Sequence, residues 1–455
     1  MATKRTTTTP LPPAAPARPP YMLIEEIRVQ GYKSLVDATL HVRPLTLLAG
    51  TNSSGKSSIM QPLLLIKQTM EAPYQPAGAL VLDGAHVQAE TAGELVSKAT
   101  IKKSNYFSIK LDGVNRFLQS NGSNQYIPFM IELSYRAEAQ KIELNYQRTN
   151  YNNLGEIEIS ADKWSGSLIN TIGHNDIVGR VIKSNGFMGV DFVNSAGETD
   201  GGIRHTFVLE DTVPTIMHIP GLRGLPKRNY LATTFQNQIK GTFDLYAAGT
   251  ISQWQQQSDT EALAQLSNYL QRLGLTNSVT AKVKNANEVE LSVNRLPSTS
   301  KTKPRKADMV NIADVGIGVS QVLPILVALI AAQEGQIVYV EQPELHLHPR
   351  AQVAMGEMLA EAANRGVRVI VETHSSLLLL TVQTLVAEGK IKPTDVGLHW
   401  FSRDAKGATT VRFEQPDENG AYGEWPEDFG DVEITAQRNY LDAVTRRQPK
   451  RTANV

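Results

Sequence analysis

One stretch, residues 45 to 58, constrains this chain more than any other: Leu-Thr-Leu-Leu-Ala-Gly-Thr-Asn-Ser-Ser-Gly-Lys-Ser-Ser. A mostly apolar run ends at Gly50, small and polar residues lead to Gly55, and Lys56-Ser57 opens a helical run. The pattern G-x-x-x-x-G-K-[ST] is that of a phosphate loop. Such a loop works only where a buried strand delivers the backbone to a helix N-terminus whose unpaired N–H groups face an anion. Gly50 and Gly55 permit the backbone angles and leave no Cβ in the way of phosphates. Lys56 is placed to reach the β- and γ-phosphates of ATP as a point charge, and the Ser57 hydroxyl to take one position on Mg²⁺. Asn52, Ser53, Ser54 and Ser58 fill out the loop and the helix start.

The remaining composition mostly excludes. With 455 residues the chain is long enough for two domains, or one large domain with insertions. A formal net charge of zero argues against indiscriminate nucleic-acid binding but leaves room for a local basic groove. The lack of cysteine removes disulfides and thiolate metal sites and fits a cytoplasmic, reducing setting. Residues 1–21, rich in Thr, Pro and Ala, lack the apolar core of a signal peptide and read as a disordered arm. No apolar run approaches the about 18 residues that cross a bilayer, so no membrane association is expected.

Along the chain, residues 22–30 alternate as a half-buried strand, Gly31 to Leu35 breaks the pattern, and a second strand covers about 38–43. The helix from Lys56 to about Met70 carries Pro62 beyond its first turn, where a local bend is expected. Residues 76–245 mix short alternating runs with Asn, Gly and Ser clusters, which predicts a largely antiparallel β lobe. Within it, His218 to Arg228 gathers a histidine with Arg223, Lys227 and Arg228. This is either a solvated loop or a phosphate or nucleic-acid contact. Residues 246–307 read as an inserted helix over 248–274, a hairpin from Ser278 to Arg295 and a basic loop from Pro297 to Lys306.

From residue 308 a catalytic grammar returns. Asp314-Val315-Gly316-Ile317-Gly318-Val319-Ser320-Gln321 is a Gly/Ser turn opening an apolar helix, with Pro324 expected in its first turn. Gln336 to Val340 is a buried strand ending in Glu341-Gln342-Pro343-Glu344, an arrangement in which an acid at the strand end holds Mg²⁺. Leu345-His346-Leu347-His348-Pro349 leads into the next helix. The apolar run Val367 to Val371 then closes in Glu372-Thr373-His374-Ser375. Alternating strands and helices of this length imply a parallel sheet with one ligand-collecting edge, where the phosphate loop, Glu341 and His374 fall.

In this order the motifs resemble the ABC-type ATPases of the SMC and overcoming-lysogenization-defect class, often called AAA family ATPases. The resemblance covers residues 22–75 and 308–402. The tail from Asn419 to Phe429 resembles bacterial members related to Septu-type and PARIS-type phage-defence ATPases. What the resemblance implies is an α/β phosphate-loop core with a mixed sheet, built from both ends of the chain, plus the antiparallel β lobe, the helical insertion and a C-terminal extension from 403 to 455.

It also implies a homodimer, or a higher homo-oligomer, sandwiching two nucleotides. Gly318 and Ser320 touch a γ-phosphate across the interface, His374 senses it, Lys33 sits near the nucleotide, and His346 and His348 lie between the two sites. Relatives place a glutamate after the metal-holding acid as general base. Here Gln342 stands in that place, which can orient water but not accept its proton. Slow hydrolysis follows, unless Glu344 supplies the carboxylate. No nuclease-sized segment follows His374, and Asp428, Asp431 and Glu433 read as a solvated surface rather than a two-metal cluster, so an effector, a nuclease or toxin, is expected on a separate chain.

Overall fold

The computed structural model describes residues 21–423 except 74–77, 100–103, 119–122, 152–154, 161–162, 169–177, 185–186, 194–198, 204–208, 210–211, 234–238 and 297–304, together with 438–442. The expected N-terminal arm, most of the basic loop and the acidic tail residues Asp428, Asp431 and Glu433 lie outside the described residues.

The chain opens with β1 (Tyr21–Tyr32) and β2 (Leu35–His41), followed by β3 (Leu45–Gly50) and helix α1 (Lys56–Glu71). Next come β4 (Tyr106–Leu118), β5 (Asn124–Ala137), β6 (Ile142–Tyr151), β7 (Gly155–Ser160) and β8 (Lys163–Leu168). They join β1 and β2 in a seven-stranded antiparallel sheet ordered β2-β1-β4-β5-β6-β7-β8. The first two strands therefore pair away from the phosphate-loop strand that follows them. In β1 the register shifts between Ile24 and Glu26, and the buried set changes from Met22 and Ile24 to Ile27 and Val29. A one-residue irregularity reverses which parity faces the core, so the bulge lets one strand keep its apolar side inward along its length.

Strands β9 (Val178–Ser184), β10 (Phe187–Val193) and β11 (Thr199–Ile203) form a separate antiparallel sheet, and β12 (Met217–Ile219) follows. After β13 (Tyr230–Leu231), the helix expected over 248–274 is two helices, α2 (Ala247–Gln256) and α3 (Thr260–Arg272). Ser258 takes a left-handed φ of 56° at the break, and the Asp259 side chain accepts from the Ala262 N–H to cap α3, ending one helix and starting another. Strands β14 (Val279–Asn285), β15 (Glu288–Asn294) and β16 (Met309–Asn311) complete a small sheet with β13.

The last third alternates: α4 (Ile317–Ala331), β17 (Ile337–Glu341), α5 (Pro349–Asn364), β18 (Arg368–Glu372), α6 (Ser376–Ala387), β19 (Val396–Arg403) and β20 (Thr409–Glu414). Pro324 lies well inside α4, not in its first turn as expected. That helix is buried along most of its length, and tertiary packing holds it through a residue that removes one ladder bond.

The core sheet runs β12-β17-β18-β3-β19-β20, all parallel except the edge strand β20. Its central strands read as continuous apolar runs because both faces are covered. Leu45, Leu47, Ala49, Val338, Val340, Val369 and Val371 face one core together with α4, α5 and α6. Leu48, Ile337, Tyr339, Ile370 and Phe401 face the other, where α1 is packed between the parallel sheet and the antiparallel one. Register fixes the functional edge: Glu341 pairs with Glu372, Glu372 with Leu48, and Phe401 with Gly50. Parallel strands in register end together, so the phosphate loop and two carboxylates share one edge of the sheet.

Candidate nucleotide site

The loop between β3 and α1 is shaped by its glycines. A Cβ on Gly50 would lie 2.1 Å from the Phe401 carbonyl oxygen, and one on Gly55 would lie 2.6 Å from Thr409 Oγ1. Gly55 adopts φ 100°, a conformation that favours glycine. The Thr409 hydroxyl lies 2.7 Å from both Ser34 Oγ and the Ser54 carbonyl, so edge strand β20 braces the loop from below. Asn52 and Ser53 are exposed at its tip. The Ser54 hydroxyl is buried without a hydrogen-bond partner, and α1 starts with neither a side-chain cap nor an acidic residue in its first turn. Unmet donors at a helix start with no negative side chain beside them fit an anion.

Lys56 is nearly buried and donates to the carbonyls of Gly50 and Thr51 at 3.2 and 2.8 Å. Burial pushes its ammonium below the ordinary lysine range, and the charges of Glu372 and Glu344 act the other way. The Ser57 hydroxyl donates to Glu372 Oε2 at 2.7 Å, and the buried Tyr339 hydroxyl donates to the same oxygen at 3.3 Å. Glu341 points elsewhere: its Oε1 is 3.1 Å from His218 Nε2, and its Oε2 accepts from the Gly221 N–H at 3.1 Å. The two carboxylates are tuned apart. Burial raises Glu372, and the neighbouring charge of Glu341 adds to that effect against the Ser57 hydrogen bond. For Glu341, the hydrogen bond and charge of His218, with the Gly221 N–H, outweigh burial and hold it below the usual carboxylate range.

Gln342, directly after Glu341, sits at φ 46°, a conformation costing an ordinary residue about 1 kcal/mol or more. Its backbone N–H donates to the Glu372 carbonyl at 2.7 Å, and its side-chain oxygen lies over Gly221, where an added Cβ would be 3.2 Å away. Glu344 spends both oxygens on the next strand's exit, accepting from the His374 N–H at 2.7 Å and the Thr373 hydroxyl at 3.0 Å. Burial raises its carboxyl against those bonds. Burial and the Lys56 charge push His374 below the ordinary imidazole value.

Phosphate loop, Glu341, Glu344 and His374 therefore surround one place. The other expected site residues make contacts of their own. Lys33 donates to Gln61 on α1 at 2.7 Å, and the Ser320 hydroxyl donates back to the Ile317 carbonyl at the open start of α4. A Cβ on Gly318 would meet only ordinary van der Waals contact. His346 and His348 are exposed, and His348 caps α5 by accepting from the Arg350 N–H. Among the described residues no three His, Cys, Asp or Glu side chains gather around a metal position. The donor set at the loop, one hydroxyl and two carboxylates beside a phosphate cradle, fits Mg²⁺, which takes few protein ligands and completes its shell with phosphate and water.

Four contributors were not singled out from sequence. Glu372 was legible as a charge ending an apolar strand. Tyr339 looks like any buried aromatic, and Thr409 like any strand threonine. Arg223, taken for part of a basic loop, is buried instead: its guanidinium donates to the carbonyls of Pro220, Gln321, Glu341 and Gln342. Burial draws it down to about 10, and its bonds tie the start of α4 to the end of β17.

A buried polar chain continues behind Glu341. His218 Nδ1 lies 2.9 Å from His86 Nδ1, His86 Nε2 lies 3.3 Å from Glu71, and Glu71 is paired with Lys67 at 2.8 Å. The three imidazole contacts need three hydrogens on two rings, one more than two neutral rings carry. Burial pushes the His86 imidazole below its ordinary value, against the hydrogen bond and charge of Glu71. Lys67 also donates to the Pro214 and Ile239 carbonyls, and the Gly241 N–H donates to Glu71.

Two ATPase domain families match this chain. Residues 22–174 match the family described as "AAA ATPase domain", and residues 243–380 match "AAA domain, putative AbiEii toxin, Type IV TA system". Between them the two matches take in both the phosphate-loop end of the chain and the Glu341 end. No curated protein matches. Among solved structures, the Smc head domain with an extended coiled coil bound to the C-terminal domain of ScpA, derived from Pyrococcus furiosus, overlaps with a TM-score of 0.47 at 10% identity, covering 94% of this chain and 100% of that one. The SmcHead bound to the C-winged helix domain of ScpA gives 0.46 at 12%, covering 86% and 98%. The SMC head domain from Thermotoga maritima gives 0.37 at 10%, covering 86% and 98%. Among the described residues no helix is long and apolar enough to cross a membrane.

Proposed function

We propose that this protein binds ATP with Mg²⁺ at the β3–α1 loop and hydrolyses it slowly, the bound state being the one that acts. The observation that carries the reading is the loop itself: a buried, unpartnered Ser54 hydroxyl and an uncapped helix start, flanked by Lys56 and by Ser57 on a carboxylate. Lys56 is to leave the carbonyls of Gly50 and Thr51 for the phosphates, and Ser57 with Glu341 is to hold the metal. When bound, Mg²⁺ supplies charge neutralisation at the β- and γ-phosphates. Slow turnover is supported by Gln342 in the general-base place and by Glu344, whose two oxygens are engaged by Thr373 and His374.

Motif order supports a homodimer around two nucleotides, with Gly318 and Ser320, partly exposed at the α4 start, facing a γ-phosphate bound across the interface and His374 sensing it. The resemblance to phage-defence ATPases, and the toxin–antitoxin wording of one matching family, support a cytoplasmic role controlling a separate nuclease or toxin. Phosphate release and ATP binding by the purified protein test the enzymatic part. Measurable binding with slow release, the binding weakened about 10- to 100-fold in Lys56→Ala, is expected; binding indifferent to Lys56 overturns it. Protection of bacteria from phage only when a neighbouring effector gene is present tests the biological part.

A further inference from the structure

Two acids end adjacent strands at the proposed metal site, and the one that touches the phosphate loop is Glu372, on β18 between β3 and β17. A serine that offers an oxygen lone pair to a cation must point its hydrogen away from it. The Ser57 hydrogen goes to Glu372 Oε2 at 2.7 Å, which turns the remaining lone pairs outward toward the loop. Glu372 is itself held: it is 5% exposed, and the Tyr339 hydroxyl donates to the same oxygen. Glu341, by contrast, is drawn toward His218 and the Gly221 N–H, away from Ser57. Two carboxylates end paired positions of adjacent strands in a mostly buried place, and the single ammonium of Lys56 beside them leaves an excess of negative charge that a divalent cation relieves.

Resting on the nucleotide reading above, we infer that Glu372 is a positioning residue of the Mg²⁺ site, orienting Ser57 on the metal and making the site a two-carboxylate one with Glu341. Groups that orient metal ligands in this way commonly change metal affinity by about 10- to 100-fold when removed.

The test reads metal dependence of binding, not turnover. A fluorescent ATP analogue is titrated into the full-length protein across a Mg²⁺ series and in EDTA. In the unaltered protein Mg²⁺ tightens binding. In Glu372→Gln the half-saturating Mg²⁺ concentration rises about 10-fold or more, and the ratio of affinities with Mg²⁺ and in EDTA falls toward one. Glu372→Asp, which keeps the charge but draws the carboxylate back from Ser57, shows a smaller rise in the same direction and serves if the glutamine variant does not fold. A wild-type Mg²⁺ dependence in either variant overturns the inference. Failure of the unaltered protein to bind the analogue at all overturns the nucleotide reading instead, so the two failures are distinct.

Discussion

Helix α1 carries a polar cluster at each end, and the two are built on opposite terms. At its last turns the Lys67 and His86 side chains are buried and Glu71 is mostly so, and Lys67 and Glu71 are met from several sides: Lys67 by two carbonyls and Glu71, Glu71 by the Gly241 N–H and His86. Just before its first turn the Ser54 hydroxyl lacks a partner, no side chain caps the helix, and Lys56 holds carbonyls that a phosphate can replace. The rear cluster is closed by its own ion pairs and hydrogen bonds, Glu71 Oε1 being held by the Lys67 charge without a hydrogen bond, and is therefore structural. The front is left open, at a cost in stability that a ligand offsets. Burial and charge alone do not separate the two; the supply of partners does.

The contrast breaks first at the rear. Lys67→Met leaves Glu71 buried with one partner fewer, and a loss of about 3–5 kcal/mol is expected by denaturant unfolding. A loss under about 1 kcal/mol would put the rear cluster in the same class as the front. Next comes Lys56→Ala, for which ATP affinity falls about 10- to 100-fold, the equivalent of about 1.5–3 kcal/mol for charged hydrogen bonds, while thermal stability changes far less than in Lys67→Met. A variant that unfolds instead would make Lys56 a structural residue.

A smaller effect is expected in acid. Burial alone would raise Glu71, but the His86 hydrogen bond and the Lys67 charge outweigh it and leave the carboxyl below its ordinary value. A depressed carboxylate contributes stability that is present above its unfolded value of 4.5 and is lost as pH falls through the lower folded value. Unfolding midpoints followed from pH 6 downward should therefore drop below pH 4.5 more steeply in the unaltered protein than in Glu71→Gln. Equal slopes would remove Glu71 from the account. The smallest change is at the surface, where Arg28 and Asp37 form a half-exposed pair on neighbouring antiparallel strands. Arg28→Ala should cost about 0.2–1 kcal/mol.

Legibility in the sequence followed the same division. The phosphate loop, the acid at Glu341 and the Thr-His-Ser exit were readable because each needs particular residues at fixed spacing beside an apolar strand. Strand partners were not. Nothing local tells β1 and β2 to join β4 instead of β3, because alternation reports a half-buried face without naming the neighbour that covers it. Pro324 differs for a related reason: local helix geometry favours it in the first turn, whereas packing of α4 in the core carries it deeper. Arg223 showed only its charge in sequence. Its worth lies in four carbonyls brought from Pro220, Gln321, Glu341 and Gln342, which only the folded chain assembles. Glu372 was in plain view, but an acid at a strand's end acquires meaning only when Ser57 arrives beside it.

Equilibrium dialysis of ATP against the full-length protein, with Mg²⁺ and then with EDTA, tests the central claim most directly. One ATP bound per chain, more tightly with Mg²⁺ and released by Lys56→Ala, is the predicted result. No bound ATP, or binding that neither Mg²⁺ nor Lys56 affects, contradicts it.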